Sequence, residues 1–513
     1  MRSLPVGLFT FHVVMSERRV TILLFVTLAL AYAFVFPRWL DWNANARLDL
    51  SAAIVERGTL SIDAYAQNTG DYALFNGRRY IDKAPGLSFL GVPVYFVVSH
   101  LTQPKFVQNL IESGGRAPAA AATVNRSIDR VSREELLFAA RSALTTWLVV
   151  GLSSALLGVV LFDFLRRLSY PMRWRALAVL IYGLATPAFT YSAAFYGHQV
   201  AAVLLFSAFA WLFALRSRRA RAIEWLIIGS LLGYAVITEY PAVLIAACLG
   251  LYAIWITRRL ALIFLVALGG LIPIGLWGAY NAAIFGTPFA VGYHYTANPY
   301  WSGILSTGFL SAGVPTWQAL WGLTFSPFRG LFFASPILLL SLPGLVLLRR
   351  SIYHAEWVTS LASLVSFLVL ISASAQWWGG WSAGPRYLVP VLPFLVWPLT
   401  ATFDRIARST AMWRAGLWLI TFGLVLISIM NMWSLTLGGQ YYAPDNIRNP
   451  LIEYSLPHLR AGDVARNWGM IVGLHGMISV LPLVVLIIGA AGLIWMVTRT
   501  KREPQDVKTL DTH

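Results

Sequence analysis

Stretches of about eighteen apolar residues recur from one end of this chain to the other, with short clusters of arginines at alternate junctions between them. A water-soluble core has no room for so many, and the hydrocarbon of a bilayer is the solvent that suits them. Composition agrees: 58% of the 513 residues are hydrophobic and 12% are charged, whereas a soluble protein of this length carries about a quarter charged residues. The formal charge of +17 does not point to nucleic acid, because the basic residues are scattered between apolar spans rather than gathered in one patch. The single cysteine, Cys248, sits inside an apolar run, so neither a disulfide framework nor a thiolate metal site is available.

About twelve membrane helices are expected. The first runs from Val20 to Pro37 after Glu17, Arg18 and Arg19; it lacks a small-residue cleavage site and reads as a retained helix. Others fall near 138–161, 176–194, 199–215, 223–238, 240–256, 260–278, 331–348, 357–374, 387–402, 415–432 and 473–497. Basic loops mark the cytoplasmic side. Arg166, Arg167, Arg173 and Arg175, then Arg216, Arg218, Arg219 and Arg221, then Arg258, Arg259, Arg349 and Arg350 alternate consistently with cytoplasmic termini. Three long loops then face outward, about 38–137, 279–330 and 433–472. The segment Ala84 to Leu101, interrupted by Pro85, Gly86 and Pro93, fits a re-entrant or interfacial helix within the first of them. The expected fold is an all-α polytopic membrane protein, with modules at 1–278 and 279–498 and a cytoplasmic tail at 499–513.

A hundred-residue loop rich in ionisable groups is where chemistry is expected. In NANARLDLSAAIVERGTL, Leu50, Ile54 and Val55 recur at helical spacing while Asn45, Asp49 and Glu56 share another face, with Gly58 as C-cap. That pattern predicts an amphipathic surface helix. Next comes SIDAYAQNTGDYALFNGRRYIDKAPG, with Asp63, Asp71, Asp82 and Lys83. An Asp-Lys pair entering an interfacial helix can hold a phosphate or a metal–phosphate pair, or can be an ordinary loop ion pair. Further polar groups fall at the same ends of other spans: His198, Glu239 beside Tyr240, Arg329 and Arg386. Ionisable residues there default to function, though His198 reads equally as a satisfied interfacial histidine, and Arg329 and Arg386 as anchors. Trp377, Trp378 and Trp381 fit an aromatic belt better than a sugar platform.

These motifs resemble the GT-C superfamily of integral-membrane glycosyltransferases, in particular the branch with protein O-mannosyltransferases and the lipid A aminoarabinose transferase. The resemblance covers roughly the first 280 residues. In RRYIDKAPGLSFLGVP, Asp82 and Lys83 stand in the family's acidic and lysine positions, with Ala84 interposed before Pro85, and His198 matches a polar loop residue. Where relatives carry an Asp-Glu pair after the first span, this chain has Asn45 and Ala46, and an asparagine cannot act as a base.

What the resemblance implies is a GT-C-like bundle with interfacial helices in the first outer loop. Its activity would be transfer of a sugar from a polyprenyl-phosphate donor to a glycan, lipid or protein acceptor, outside the cytoplasm, in a bacterial-type inner or plasma membrane. Asp49, Asp63 or Asp82 would supply the carboxylate base. Lys83, Arg386 and Arg329 would contact donor phosphate, and Asn45, Arg47, His198, Glu239 and Tyr240 would line the cavity. A divalent metal held by Asp82 and His198 is admitted as cofactor. The rivals are a lipid or glycolipid transporter or flippase, and a non-catalytic scaffold on a transferase frame.

Overall fold

The computed structural model describes residues 6–39, 41–123, 128–299, 302 and 313–499. The expected tail beyond 499 and most of the aromatic stretch between Tyr300 and Ser311 lie outside the described residues. The chain is mostly helical, as apolar segments must be where no water is present to satisfy backbone groups. Among the described residues six helices are long and apolar enough to cross a bilayer: Arg133–Arg167, Gly197–Leu215, Leu260–Phe285, His354–Ala373, Ala411–Leu437 and Gly476–Thr498. A seventh would be the pair Arg386–Val396 and Leu399–Ala407, bent by 41° where Pro398 interrupts the helical hydrogen bonding.

Of the other expected spans, the first lies within the long helix Val6–Phe34 and the rest form shorter or broken helices. Ala222–Thr238, Tyr240–Ile256 and Pro336–Leu348 are apolar but short. The stretch 176–194 divides at Pro187 into Met172–Leu184 and Ala188–Ser192. Helix α1, Val6–Phe34, carries Glu17, Arg18 and Arg19 midway. Glu17 pairs with Arg175 at 2.8 Å, and Arg216 with the fully buried Glu356 at 2.6 Å. The Glu17–Arg175 junction lies roughly 25 Å along α1 from its end at Phe34, at 1.5 Å per residue.

At that far end lies the segment 38–137. Helix α2, Trp42–Arg57, is capped by Asp41, whose Oδ1 accepts from the Ala44 N–H at 3.2 Å, and it ends at Gly58 in the left-handed conformation, φ 61°. The expectation of a surface helix is corrected here: every residue from Ala44 to Ala53 is buried, Asp49 included. Helix α3, Gly86–Leu101, buries Leu87, Gly91, Tyr95 and Val98 on one stripe and leaves Phe96 and Val97 half exposed on the other.

A small hairpin in the first long loop interrupts an otherwise helical chain. Strands β1, Ala73–Phe75, and β2, Arg78–Tyr80, pair antiparallel across a two-residue turn in which Asn76 and Gly77 have φ of 49° and 74°. Both positive values suit a primed turn, which Asn-Gly adopts readily. The hairpin is extended by a bridge from Ala73 to Thr296, so the stretch after the long helix Leu260–Phe285 is tied to the motif that carries Lys83.

Ala222–Thr238 and Leu260–Phe285, here α4 and α5, pack backbone to backbone. A Cβ at Gly229 would stand 2.0 Å from the Val266 carbonyl oxygen, and one at Gly269 would stand 2.0 Å from that of Leu226. Ser230 Oγ also donates to the Gly269 carbonyl at 3.1 Å. Gly229 and Gly233 form the small-xxx-small stripe through which membrane helices approach closely. Gly229→Leu is therefore expected to destabilise the fold by about 1–3 kcal/mol, read as a lower melting temperature of the detergent-purified protein. At Gly275, where nothing lies within 4 Å of an added Cβ, the same substitution should leave the melt unchanged. Equal losses at both positions would contradict the packing account.

Candidate functional site

The turn between α1 and α2 places two charged side chains at one cavity. Arg38 is buried, donates to the Thr436 carbonyl and lies 5.0 Å over the Tyr442 ring. Three residues on, the Asp41 carboxylate uses Oδ1 twice, accepting from the Ala44 N–H and from the Tyr196 hydroxyl at 2.9 Å. Its Oδ2 is shielded from solvent and has no hydrogen-bond partner among the described residues. Burial pushes the Asp41 carboxyl above the ordinary carboxylate range, against the two hydrogen bonds that hold it down.

A second group comes from α2, from the end of α4 and from the start of Gly197–Leu215, here called α6. Arg47 on α2 donates to Glu239 Oε1 at 2.8 Å and also to Asn43 Oδ1. Glu239 follows α4 directly, and its Oε2 stands 3.4 Å from His198 Nδ1. Gly197 is required at the opening of α6, because a Cβ there would come within 2.4 Å of Glu239 Oε1. Arg47 and Glu239 are both buried, 2% and 9% exposed at the side chain. Removing one partner of such a pair leaves an uncompensated charge costing about 3–5 kcal/mol.

Lys83 sits just before α3, and its Nζ lies 3.2 Å from an oxygen of Asp71 and 3.2 Å from one of Asp82. Burial opposes the ammonium charge, but the two carboxylates outweigh it and Lys83 titrates above its ordinary value. The opposite wall is Arg386, which opens the bent segment Arg386–Val396. Its guanidinium lies 5.4 Å over the Tyr196 ring and 5.2 Å over that of Tyr387, and donates to the Tyr196 hydroxyl at 3.4 Å. Tyr196 therefore links Arg386 to Asp41. Neither Arg386 nor Arg38 has a carboxylate within ion-pair distance among the described residues.

Together these residues line a cavity of about 810 Å³ whose charged walls are Arg38, Arg47, Lys83 and Arg386 against Asp41, Asp71, Glu239 and Asp445. Two of the four cations are committed to carboxylates and two are left to attract an anion. That balance suits a phosphate, with fixed donors already in place before it arrives. A divalent cation suits the site less well. Among the described residues no three His, Cys, Asp or Glu side chains converge as its ligands, Lys83 already bridges Asp71 and Asp82, and His198 faces Glu239 rather than Asp82.

Several residues singled out in the sequence lie elsewhere. Asp49, on α2, is fully buried, accepts from Asn68 Nδ2 at 3.0 Å and is pushed well above the carboxylate range by burial. Asp63 binds its own turn, accepting from Ser61 Oγ at 2.6 Å and from the Arg79 N–H at 2.8 Å. Asp82 stands behind Lys83 and accepts from Thr296 Oγ1 at 3.2 Å. Asn45 donates to the carbonyls of Trp39 and Asn68, and the Tyr240 hydroxyl accepts from Trp277. Arg329 is not at the cavity surface; it donates to the carbonyls of Gly380 and Ala443 at 3.0 and 3.3 Å, tying two wall loops together. Sequence reasoning missed Arg38, Asp41 and Tyr196. Asp41 had a usable signal, an aspartate at the N-cap of the first helix beyond a membrane span.

No family model matches the chain, and no curated protein matches it. Among solved structures it is similar to the crystal structure of ArnT from Cupriavidus metallidurans bound to undecaprenyl phosphate, with 14% identity and a TM-score of 0.44, over 96% of this chain and 77% of that one.

Proposed function

We propose that this membrane protein transfers a sugar from a polyprenyl-phosphate donor to an acceptor hydroxyl on the extracytoplasmic face. The observation that carries the reading is the Asp41–Tyr196–Arg386 chain: a carboxylate with one unused oxygen and a guanidinium with no carboxylate partner, joined through one hydroxyl inside one cavity. Transfer of a glycosyl group needs those two functions side by side. The bond from the anomeric carbon to phosphate breaks and the bond from that carbon to the acceptor oxygen forms. The acceptor proton passes to Asp41 Oδ2, and the electron pair leaves with polyprenyl phosphate.

Arg386 and Arg38 stabilise the charge that grows on the departing phosphate, and Lys83 adds a third cation nearby. Arg47, Glu239 and His198 form a wall to position the sugar. Direct displacement of this kind inverts the anomeric centre. The extracytoplasmic placement is supported by the arginine-rich junction midway along α1, roughly 25 Å from its end at Phe34. Asp41 takes the role of base that the sequence suggested for Asp49, Asp63 or Asp82, since it alone of the four lines the cavity, and one of its oxygens has no hydrogen-bond partner among the described residues.

Mass spectrometry of envelope glycans from cells with and without the protein identifies the transferred residue. Complementation with Asp41→Asn is expected to lower its transfer by about 100-fold or more while folded protein persists in the membrane; wild-type transfer by that variant would overturn the assignment. Arg386→Ala should lower transfer by about 100-fold and weaken binding of undecaprenyl phosphate, measured by native mass spectrometry.

The pH dependence has a definite sign. A base works only when ionised, and burial raises the Asp41 value, so transfer should rise with pH along a limb lying above the ordinary carboxylate range. A profile flat down to pH 4 would contradict that role.

A further inference from the structure

We propose that the chain has a second ligand site, for a neutral glycan, in a cavity of about 1000 Å³ that shares a wall with the charged one. The helix Trp317–Thr324 provides one side and the stretch following His354–Ala373 the other. Three lining residues, Ser374, Trp378 and Asp445, also line the charged cavity. Trp378 Nε1 donates to Asp445 Oδ2 at 3.1 Å, so the partition is a hydrogen-bonded pair rather than a helix, and a ligand in either cavity lies against the same two side chains.

The lining selects the ligand class. It contains four aromatic side chains, Trp321, Phe328, Trp377 and Trp378, interspersed with hydroxyl and amide groups such as Gln318, and no lysine or arginine. The rings stand at different angles. Trp377 is 85° from Trp378 and 89° from Phe328, with centroids 5.8 and 6.1 Å apart, so flat faces are presented in more than one direction. Gly322 lets the Trp377 ring press onto the helix, since a Cβ there would meet it at 2.1 Å. Apolar ring faces beside neutral donors and acceptors suit the C–H face and hydroxyl rim of a sugar ring. A phosphorylated ligand would meet Asp445, the one charged lining residue, with no cation to receive it.

The assignment of this glycan as the acceptor rests on the transferase reading; the glycan site itself does not. A glycan in the second cavity lies against Ser374, Trp378 and Asp445, which also line the cavity that holds Asp41 and Arg386. The aromatic surface that the sequence assigned to a membrane belt thus has a recognition role.

The test uses the full chain in nanodiscs and saturation-transfer difference NMR with cellobiose and, as a charged counterpart, glucose 1-phosphate. Cellobiose should receive saturation and glucose 1-phosphate little. Trp321→Ala and Gln318→Ala, the first at a half-exposed position where folding is undisturbed, should weaken cellobiose binding about tenfold and leave undecaprenyl phosphate binding unchanged. No saturation of cellobiose by the wild type, saturation by both variants equal to that by the wild type, or preference for glucose 1-phosphate would each overturn the site. Cellobiose binding in a protein that transfers no sugar would overturn the transferase reading and leave the glycan site standing.

Discussion

Charge buried within a membrane bundle has to be answered by opposite charge or by hydrogen bonds, and the way this chain answers it determines what the cavity can do. Arg47 is matched to Glu239, and Lys83 to Asp71 and Asp82. Arg38 and Arg386 are held instead by carbonyls, hydroxyls and aromatic rings. Those supports stabilise a guanidinium without neutralising it. These two cations are therefore left without an ion-pair partner among the described residues, and the proposed reception of a donor phosphate rests on that asymmetry.

Elements far apart in sequence are required to hold these side chains together. The N-cap turn before α2 carries Asp41, the start of α6 carries His198, the end of α4 carries Glu239 and the bent segment carries Arg386. Arg329 ties the loop at Gly380 to the loop at Ala443, which keeps the wall bearing Trp378 and Asp445 in place. The β1–β2 hairpin, locked to Thr296, fixes the approach to Lys83 from the other side. Positions of this kind, supplied by rigid elements and supported behind by hydrogen bonds, are what a group-transfer site needs before its substrates arrive.

How much of this could be read from the sequence follows from the physics of each signal. Helical membrane character is additive over many residues, so it was legible; the breaks at Pro187 and Pro398 were not, because composition alone joins the apolar residues on either side of them. Lys83, His198, Glu239, Arg47 and Arg386 could be anticipated near one site because ionisable residues at span ends are costly without a purpose. Asp49 misled because helical spacing shows which residues share a face but not whether the face meets solvent, a cavity or another helix. Asp63 misled because a turn aspartate that caps its own backbone looks the same in sequence as one that reacts. The hairpin was missed despite Asn76-Gly77, whose turn preference is strong but whose flanking strands are only three residues long.

The most direct measurement is a cryo-EM structure of the chain in nanodiscs saturated with undecaprenyl phosphate. The account requires phosphate density inside the charged cavity, within hydrogen-bonding reach of Arg386, with the Asp41 carboxylate facing the space beside it. Phosphate density seated elsewhere on the protein, with that cavity empty, would contradict it.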